Sequence, residues 1–236
     1  MNGRTALALV GVAVVAESLL IFVPMGILGA AIGWPASLDL SPSEALPLIA
    51  GALPAVRLGY GAYLVYSLAF AFVGTGVAWL AVRGTTGERS PLVSLAVTLA
   101  GLSALARAIG IIRWLTASTA LAAEPGGESV HAVQLAVNAW GGAIGELLGV
   151  ALLAGMWLAA VSVLTLAHGG LPRWLGATGL AVAVLVVLPA GELFGTPLAS
   201  VTLTTTALHL WLLAVGACAL RQAFRRYARM PHAVRS

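Results

Sequence analysis

The chain has 236 residues, of which 60% are hydrophobic and 8% are charged, with a formal net charge of +4. A soluble domain carries about 25% charged residues, so this composition excludes an ordinary water-soluble globule, and the high hydrophobicity excludes intrinsic disorder. The predicted fold class is an all-α polytopic membrane bundle, because the long apolar runs lack the alternating polarity of membrane β-barrel strands.

Six transmembrane helices are predicted from the apolar runs. The fourth run is too long for a hydrocarbon core of about 30 Å at about 1.5 Å per residue, so it must tilt or project, on its 133–140 side. The first run resembles a secretory signal at its start but continues too far for one, so we expect it to be retained as a span. The predicted spans cover residues 5–28, 58–82, 92–115, 133–166, 174–194 and 198–220.

The connecting segments predict the domain layout and its orientation. Residues 1–220 form a single six-helix domain, with an outer loop at 34–56 that contains a short interfacial helix beginning near Ser43. The basic segment 221–236 is a cytoplasmic tail that either lies on the anionic inner leaflet or acts as a stop-transfer anchor. Nine arginines against one acid fall on the side of the termini, which predicts cytoplasmic N- and C-termini.

The composition also limits cofactors and partners. The single cysteine, Cys218, permits no intrachain disulfide and no cysteine-based metal site, and the absence of lysine excludes a retinal Schiff base. No metal or cofactor is predicted, because His209 is the one histidine deep in a span. The arginines follow the topology rather than a nucleic-acid footprint, so we expect membrane lipids as partners and no nucleic acid.

Charged residues inside the spans are the informative candidates for a site. Each costs several kcal/mol unless it is paired or solvated. Counted from the span ends at about 1.5 Å per residue, most lie in the middle and outer half of the bundle. The sequence therefore predicts a polar pocket open to the outside or to the outer leaflet, among the third, fourth and sixth spans. The candidates are Glu17, Arg107, Arg113, Glu146, Glu192 and the polar His209.

An ion pair between Glu146 and either Arg107 or Arg113 is expected. It either holds the third and fourth spans in register without a ligand, or presents a guanidinium to an anionic group while the carboxylate orients it. The spacing does not decide which arginine is the partner.

The sequence around Glu146 has two features with alternative meanings. A GxxxGxxxG row at 141–149 favours close helix packing and otherwise leaves room for a ligand. Asn138, Gly142 and Glu146 share a small polar stripe at i, i+4 and i+8 that is suited to line a cavity.

The remaining candidates each have a structural and a functional interpretation. His209 is a hydrogen-bonded core residue or an acid–base group, and Glu17 is a neutral hydrogen-bonded acid or a proton relay. Tyr63, with Tyr60 and Tyr66, lines the pocket or serves in packing and interfacial anchoring. Near Glu192, a proline at 189 is expected to break the fifth span and bring backbone carbonyls to a pocket.

Three blocks of sequence carry a family resemblance. ARAIGIIRW at 106–114, NAWGGAIGELLG at 138–149 and GLPRWLG at 170–176, with Trp157, resemble an uncharacterised bacterial family of multi-helix membrane proteins catalogued as a domain of unknown function. By layout the resemblance extends over about residues 5–220. It implies a bacterial inner-membrane protein and supports Arg107, Arg113, Asn138 and Glu146 as site residues, but it implies no substrate or reaction.

Three functions remain open from the sequence. The first is binding, sensing or transport of a small anionic or amphiphilic ligand by Arg107, Arg113, Asn138, Glu146, Glu17 and Tyr63. The second is a membrane-embedded enzyme acting on a lipid or isoprenoid-like substrate, with Glu146, His209 or Glu192 as general acid or base. The third is a scaffold or partner subunit.

Overall fold

The structure, a computed structural model, describes residues 3–196 and 198–228, with side chains up to residue 225. Every regular element in this part of the chain is a helix. Six helical segments are long and apolar enough to cross a membrane, which confirms the predicted fold class. Residues 229–236 of the predicted tail, with Arg229 and Arg235, lie outside the described residues.

The first span joins α1 (Gly3–Leu20) to α2 (Phe22–Ile32), and α3 (Pro42–Gly51) lies in the following loop. The second span is α4 (Leu53–Val82), and the third is α5 (Pro91–Leu115) followed by α6 (Ala117–Leu121). The fourth contains α7 (Glu128–Gly142), a π-helix (Ala143–Leu153) and α8 (Ala154–His168). The fifth is α9 (Arg173–Val187) with a 3₁₀ segment (Leu188–Phe194), and the sixth is α10 (Val201–Ala228).

The predicted spans and the helices agree in number but differ at their ends. The second and fourth spans begin five residues earlier than predicted, at Leu53 and Glu128. The predicted spans leave out polar residues at their starts, such as Arg57 and His131, although the helical backbone includes them. The helix predicted near Ser43 begins at Pro42, and Ser41 is its N-cap residue.

The two ends of the bundle are distinguished by their loops. Gly11 of α1 packs against Leu220 of α10, and Val15 packs against Gly216, so the first and last helices run antiparallel. The start of α1 and the end of α10 therefore lie at one end of the bundle, here called the terminus side. At the same end the Arg83 guanidinium donates to the Gln222 side chain over 3.1 Å, and the loop before α9 bonds to the end of α4. The other end, with α3, is called the far side.

The apolar core has two parts. The larger cluster fills the terminus half around Trp157, which contacts the rings of Phe70 at 5.0 Å and Trp211 at 6.2 Å. The indole N–H of Trp157 donates to the Gly74 carbonyl over 3.2 Å, so its polar atom is satisfied. The smaller cluster lies at the far side, around Tyr60.

Candidate functional site

A cavity of about 220 Å³ lies in the far half of the bundle. Among the described residues, its wall comes from the first, second, third, fourth and sixth spans and from the loop around Trp34–Leu38. The sequence interpretation placed a pocket among the third, fourth and sixth spans only. The wall is mostly aromatic and aliphatic, and polar side chains are in the minority. Uncharged tyrosines and tryptophans form much of the aromatic part.

The cavity brings together part of the predicted site. Five of the eight candidate residues lie on its wall, namely Tyr63, Arg107, Arg113, Glu146 and His209. The other three, Glu17, Asn138 and Glu192, are not among the wall residues.

Arg113 is the arginine that pairs with Glu146. Its Nη2 lies 3.6 Å from Glu146 Oε1, and the Arg113 side chain is 8% exposed whereas that of Glu146 is 40% exposed. A charge-assisted hydrogen bond has a length of about 2.7–2.9 Å, so this ion pair is loose. Arg113 Nε has no hydrogen-bond partner, and the guanidinium also contacts the ring of Trp114 at 5.3 Å.

The glycines of the fourth span place this pair against the third span. A Cβ on Gly145 would lie 3.0 Å from Gly110 Cα, and one on Gly149 would lie 3.0 Å from the Arg107 nitrogen. Ser103 Oγ adds a hydrogen bond of 2.7 Å to the Gly149 carbonyl. Close backbone contact is therefore the structural role of the glycine row, and Gly145 also forms part of the cavity wall.

The backbone carrying Glu146 is a π-helix rather than an α-helix. Such segments are rare and often occur at functional sites. Asn138 and Gly142 lie on the α-helix before this segment, and of the predicted stripe Asn138, Gly142 and Glu146 only Glu146 is among the wall residues. Asn138 is half-buried away from the wall, and its Oδ1 has no hydrogen-bond partner.

Arg107 lies on the wall without an ion pair to any described carboxylate. The residue is 4% exposed, and its guanidinium carbon lies 4.1 Å from the centre of the Phe70 ring, a cation–π geometry. Its Nε and Nη2 have no hydrogen-bond partners. Glu17, next to the wall residue Ser18, is 3% exposed and neither carboxyl oxygen has a hydrogen bond, although it interacts electrostatically with Arg107.

His209 has hydrogen bonds at both ring nitrogens. Nδ1 lies 2.7 Å from the Thr205 carbonyl, and Nε2 lies 2.8 Å from the Tyr66 hydroxyl. A carbonyl only accepts, so Nδ1 carries the proton, and in the neutral ring Nε2 accepts from Tyr66. These bonds favour the interpretation of His209 as a hydrogen-bonded core residue.

Aromatic rings form much of the far part of the wall. Tyr60 stacks on Trp114 with centroids 4.9 Å apart and planes 2° apart, and Trp34 meets Tyr63 edge to face at 6.1 Å. Sequence reasoning missed Trp34 and Trp114 as wall residues. Their positions beside the outer loop and beside Arg113 were the available signals.

The fifth span contributes nothing to this wall among the residues the structure describes. Its α-helix ends at Val187 and continues as a 3₁₀ segment that contains Pro189, so the expected break is present. Glu192 is exposed on this segment. The carbonyls freed by the break are therefore not supplied to the cavity.

The described residues contain no group of three or more histidine, cysteine, aspartate or glutamate side chains arranged to hold a metal ion. Comparison of the chain with protein-family models, with curated proteins and with solved structures gives no match. The chemistry of the cavity is thus the basis for a functional proposal.

Proposed function

We propose that the protein binds an amphiphile with one anionic group in the far-side cavity. The supporting observation is the set of buried hydrogen-bond donors around a mostly apolar space. Five wall residues have buried polar atoms without a hydrogen-bond partner among the described residues, and all five can donate: Tyr60, Ser67, Arg107, Arg113 and Thr205. Each such group costs about 1–3 kcal/mol when it is left unmade, and the acceptor oxygens of a carboxylate or phosphate group would satisfy several.

The charges of the wall agree with an anionic ligand. Arg107 and Arg113 face a single wall carboxylate, Glu146, because Glu17, which interacts electrostatically with Arg107, lies behind the wall. Arg113 is held only loosely by Glu146, at 3.6 Å, and can therefore donate to a ligand while Glu146 keeps its guanidinium oriented. The rings of Trp34 and Tyr60 give the apolar part of the ligand a surface to contact.

The binding proposal is tested with radiolabelled palmitate as an anionic probe and hexadecyltrimethylammonium as a cationic amphiphile of similar chain length. Arg113→Gln is expected to weaken palmitate binding about 10–100-fold, since a hydrogen bond to a charged group contributes about 1.5–3 kcal/mol. The cationic probe is expected to bind weakly to the wild type. Arg57→Gln, an exposed arginine of α4 outside the wall, is the matched control and is expected to bind palmitate normally.

Melting temperature separates binding from packing. If Arg113→Gln and Glu146→Gln lower the melting temperature together with palmitate affinity, the pair serves mainly to hold the third and fourth spans in register. If the two probes bind equally well, the anion preference is wrong. Native mass spectrometry of the purified protein then reports which lipid or metabolite is retained.

Acid–base catalysis has less support from this cavity. Glu192 is outside the wall, and both nitrogens of His209 are engaged in hydrogen bonds. Glu146 is thus the one candidate acid or base that faces the cavity with an accessible side chain. A co-purified lipid that is chemically altered by the wild type but not by Glu146→Gln would favour the enzyme.

The proposal places the chain in a bacterial inner membrane with both termini in the cytoplasm. Support comes from the arginines of the terminus-side loops and from the resemblance to bacterial membrane proteins. In a Cys218→Ala background, Ser43→Cys should react with a membrane-impermeant maleimide in intact spheroplasts. Thr86→Cys, on the opposite end of the bundle, should react only after permeabilisation, and the reverse pattern would invert the topology.

A further inference from the structure

The two halves of the first span have different neighbours. The helix is interrupted at Ile21, where Pro24 has no N–H for the Leu20 carbonyl. Helix α1 packs along α10, whereas α2 packs on α4 and makes at most marginal contact with α10. A gap therefore separates α2 from the first turns of α10, although α1 and α10 are tightly packed below it.

Residues at this gap belong both to the cavity wall and to the outer surface of the bundle. Phe22 of α2 is 60% exposed and Leu210 of α10 is 63% exposed, and both line the cavity. Thr206, one turn before Leu210, is also exposed and lines it. The cavity is thus continuous with the exterior of the bundle between α2 and α10, and we call this gap the lateral opening.

The depth of the lateral opening decides what it faces. Phe22 lies ten residues from the far-side end of α2 and Leu210 lies nine residues from that of α10. At about 1.5 Å per residue both are about 14–15 Å from the helix ends, well inside a hydrocarbon core of about 30 Å. The opening therefore faces acyl chains, while the loop around Trp34 forms the wall toward the water at the far side.

The cavity is also small for a complete amphiphile. Its volume of about 220 Å³ is below the roughly 300–1,000 Å³ of pockets that bury drug-sized ligands. The buried donors lie inside, on α4, α5 and α10, whereas the exposed rim is apolar at Phe22 and Leu210. This arrangement fits a head group inside and a hydrocarbon chain leading outward.

We infer that the ligand is a membrane lipid with a carboxylate or phosphate head group, which enters sideways through the lateral opening and leaves its chain there. This inference rests on the proposed binding function and specifies its ligand class and its route. A water-soluble anion of the same chemistry would instead arrive past the Trp34 loop.

The test uses the full chain in lipid nanodiscs with a palmitate probe that carries a diazirine in its chain. Photolabelling is expected on peptides from α2 and from the start of α10, and inorganic phosphate or acetate in millimolar excess is expected not to displace the probe. Leu210→Trp fills the opening and should slow labelling several-fold. Leu203→Trp, one heptad earlier on the same helix and equally exposed but outside the wall, should label as the wild type does.

A second variant keeps the test valid if Leu210→Trp does not fold. Phe22→Ala widens the opening and should speed labelling. Labelling confined to the Trp34 loop would show that the lateral route is wrong. The same conclusion follows if neither Leu210→Trp nor Phe22→Ala changes the labelling rate while Arg113→Gln still abolishes labelling. In both cases the anion site stands. If palmitate is not bound, or binds independently of Arg113, the proposed function itself fails.

Discussion

Replacing Gly110 with alanine should separate the third and fourth spans. A Cβ at this position would lie 2.6 Å from Gly145 Cα and 2.9 Å from the Gly141 carbonyl oxygen. Non-bonded carbon atoms rest about 3.5–4.0 Å apart, so the two backbones must move apart by about 1 Å. No side-chain rotation can relieve the contact, because both neighbours are backbone atoms, and overpacking of this kind costs about 1–3 kcal/mol.

Gly101→Ala is the matched control because Gly101 is on the same helix and has open space around its would-be Cβ. Alanine's helix-propensity gain of up to about 1 kcal/mol applies to both variants, so the free energies of unfolding should differ by about 1–3 kcal/mol. Reversible unfolding in mixed micelles, followed by tryptophan fluorescence, measures this difference. Equal stabilities of the two variants would refute the backbone contact. Normal palmitate binding by Gly110→Ala would show that the Arg113–Glu146 geometry tolerates the separation of the two helices.

Two further predictions concern hydrogen bonds. Ser41 donates to the Glu44 carboxylate from its hydroxyl over 2.6 Å and from its backbone nitrogen over 3.1 Å, and these bonds, the hydroxyl bond first, lower the pKa of Glu44 below its ordinary 4.5. The stability that these bonds give α3 is present above pH 4.5 and is lost as the pH falls through the lowered pKa of Glu44. Carboxyl ¹³C NMR should therefore show a titration midpoint below 4.5 for Glu44, and the midpoint should rise in Ser41→Ala. An unchanged midpoint in Ser41→Ala would contradict this prediction. Ser103→Ala removes the hydrogen bond to the Gly149 carbonyl of the fourth span. This variant should lower the unfolding free energy by about 0.6 kcal/mol and at most about 1.7 kcal/mol. A larger loss in the same unfolding assay would mean that the fourth span repacks.

The number of spans follows from the sequence because a bilayer imposes one physical requirement on every crossing segment. A run of apolar residues long enough to cover the hydrocarbon core must be helical to satisfy its backbone. The ends of the spans are less predictable because polar residues such as Arg57 continue the helix beyond the apolar run. The break at Ile21 has its signal in Pro24, yet the direction in which α2 turns depends on its packing against α4.

The candidate site was only partly predictable for a similar reason. Depth along the helix placed Arg107, Arg113 and Glu146 at related heights, but which side each helix turns inward is set by contacts between helices. Asn138 shows this most clearly, because a regular period of 3.6 residues puts it on one stripe with Glu146, yet Glu146 lies on the cavity wall and Asn138 does not. Glu192 likewise has a suitable depth but lies on a span that does not reach the cavity.

Arg107 offers a direct way to separate function from stability. The residue is 4% exposed, and its guanidinium has no ion pair with a described carboxylate and leaves two nitrogens without hydrogen bonds. A charged side chain in a span costs about 2.5–3.5 kcal/mol on insertion scales, and its stacking on Phe70 returns only about 0.5–2 kcal/mol. Arg107→Met, an apolar replacement of similar length, made together with Glu17→Gln so that the buried carboxyl does not lose its cation, should therefore leave the unfolding free energy unchanged or raise it.

If the buried donors serve a ligand, the same variant must lose affinity for the palmitate probe, since Arg107 is one of the two guanidinium groups on the cavity wall. Stability that is kept or increased together with lost binding is the pattern of a residue retained for its site rather than for the fold. A protein that unfolds on Arg107→Met, with unchanged palmitate affinity in the folded fraction, would instead assign Arg107 to the structural network of Glu17 and Phe70 and would remove the main electrostatic support for an anionic ligand.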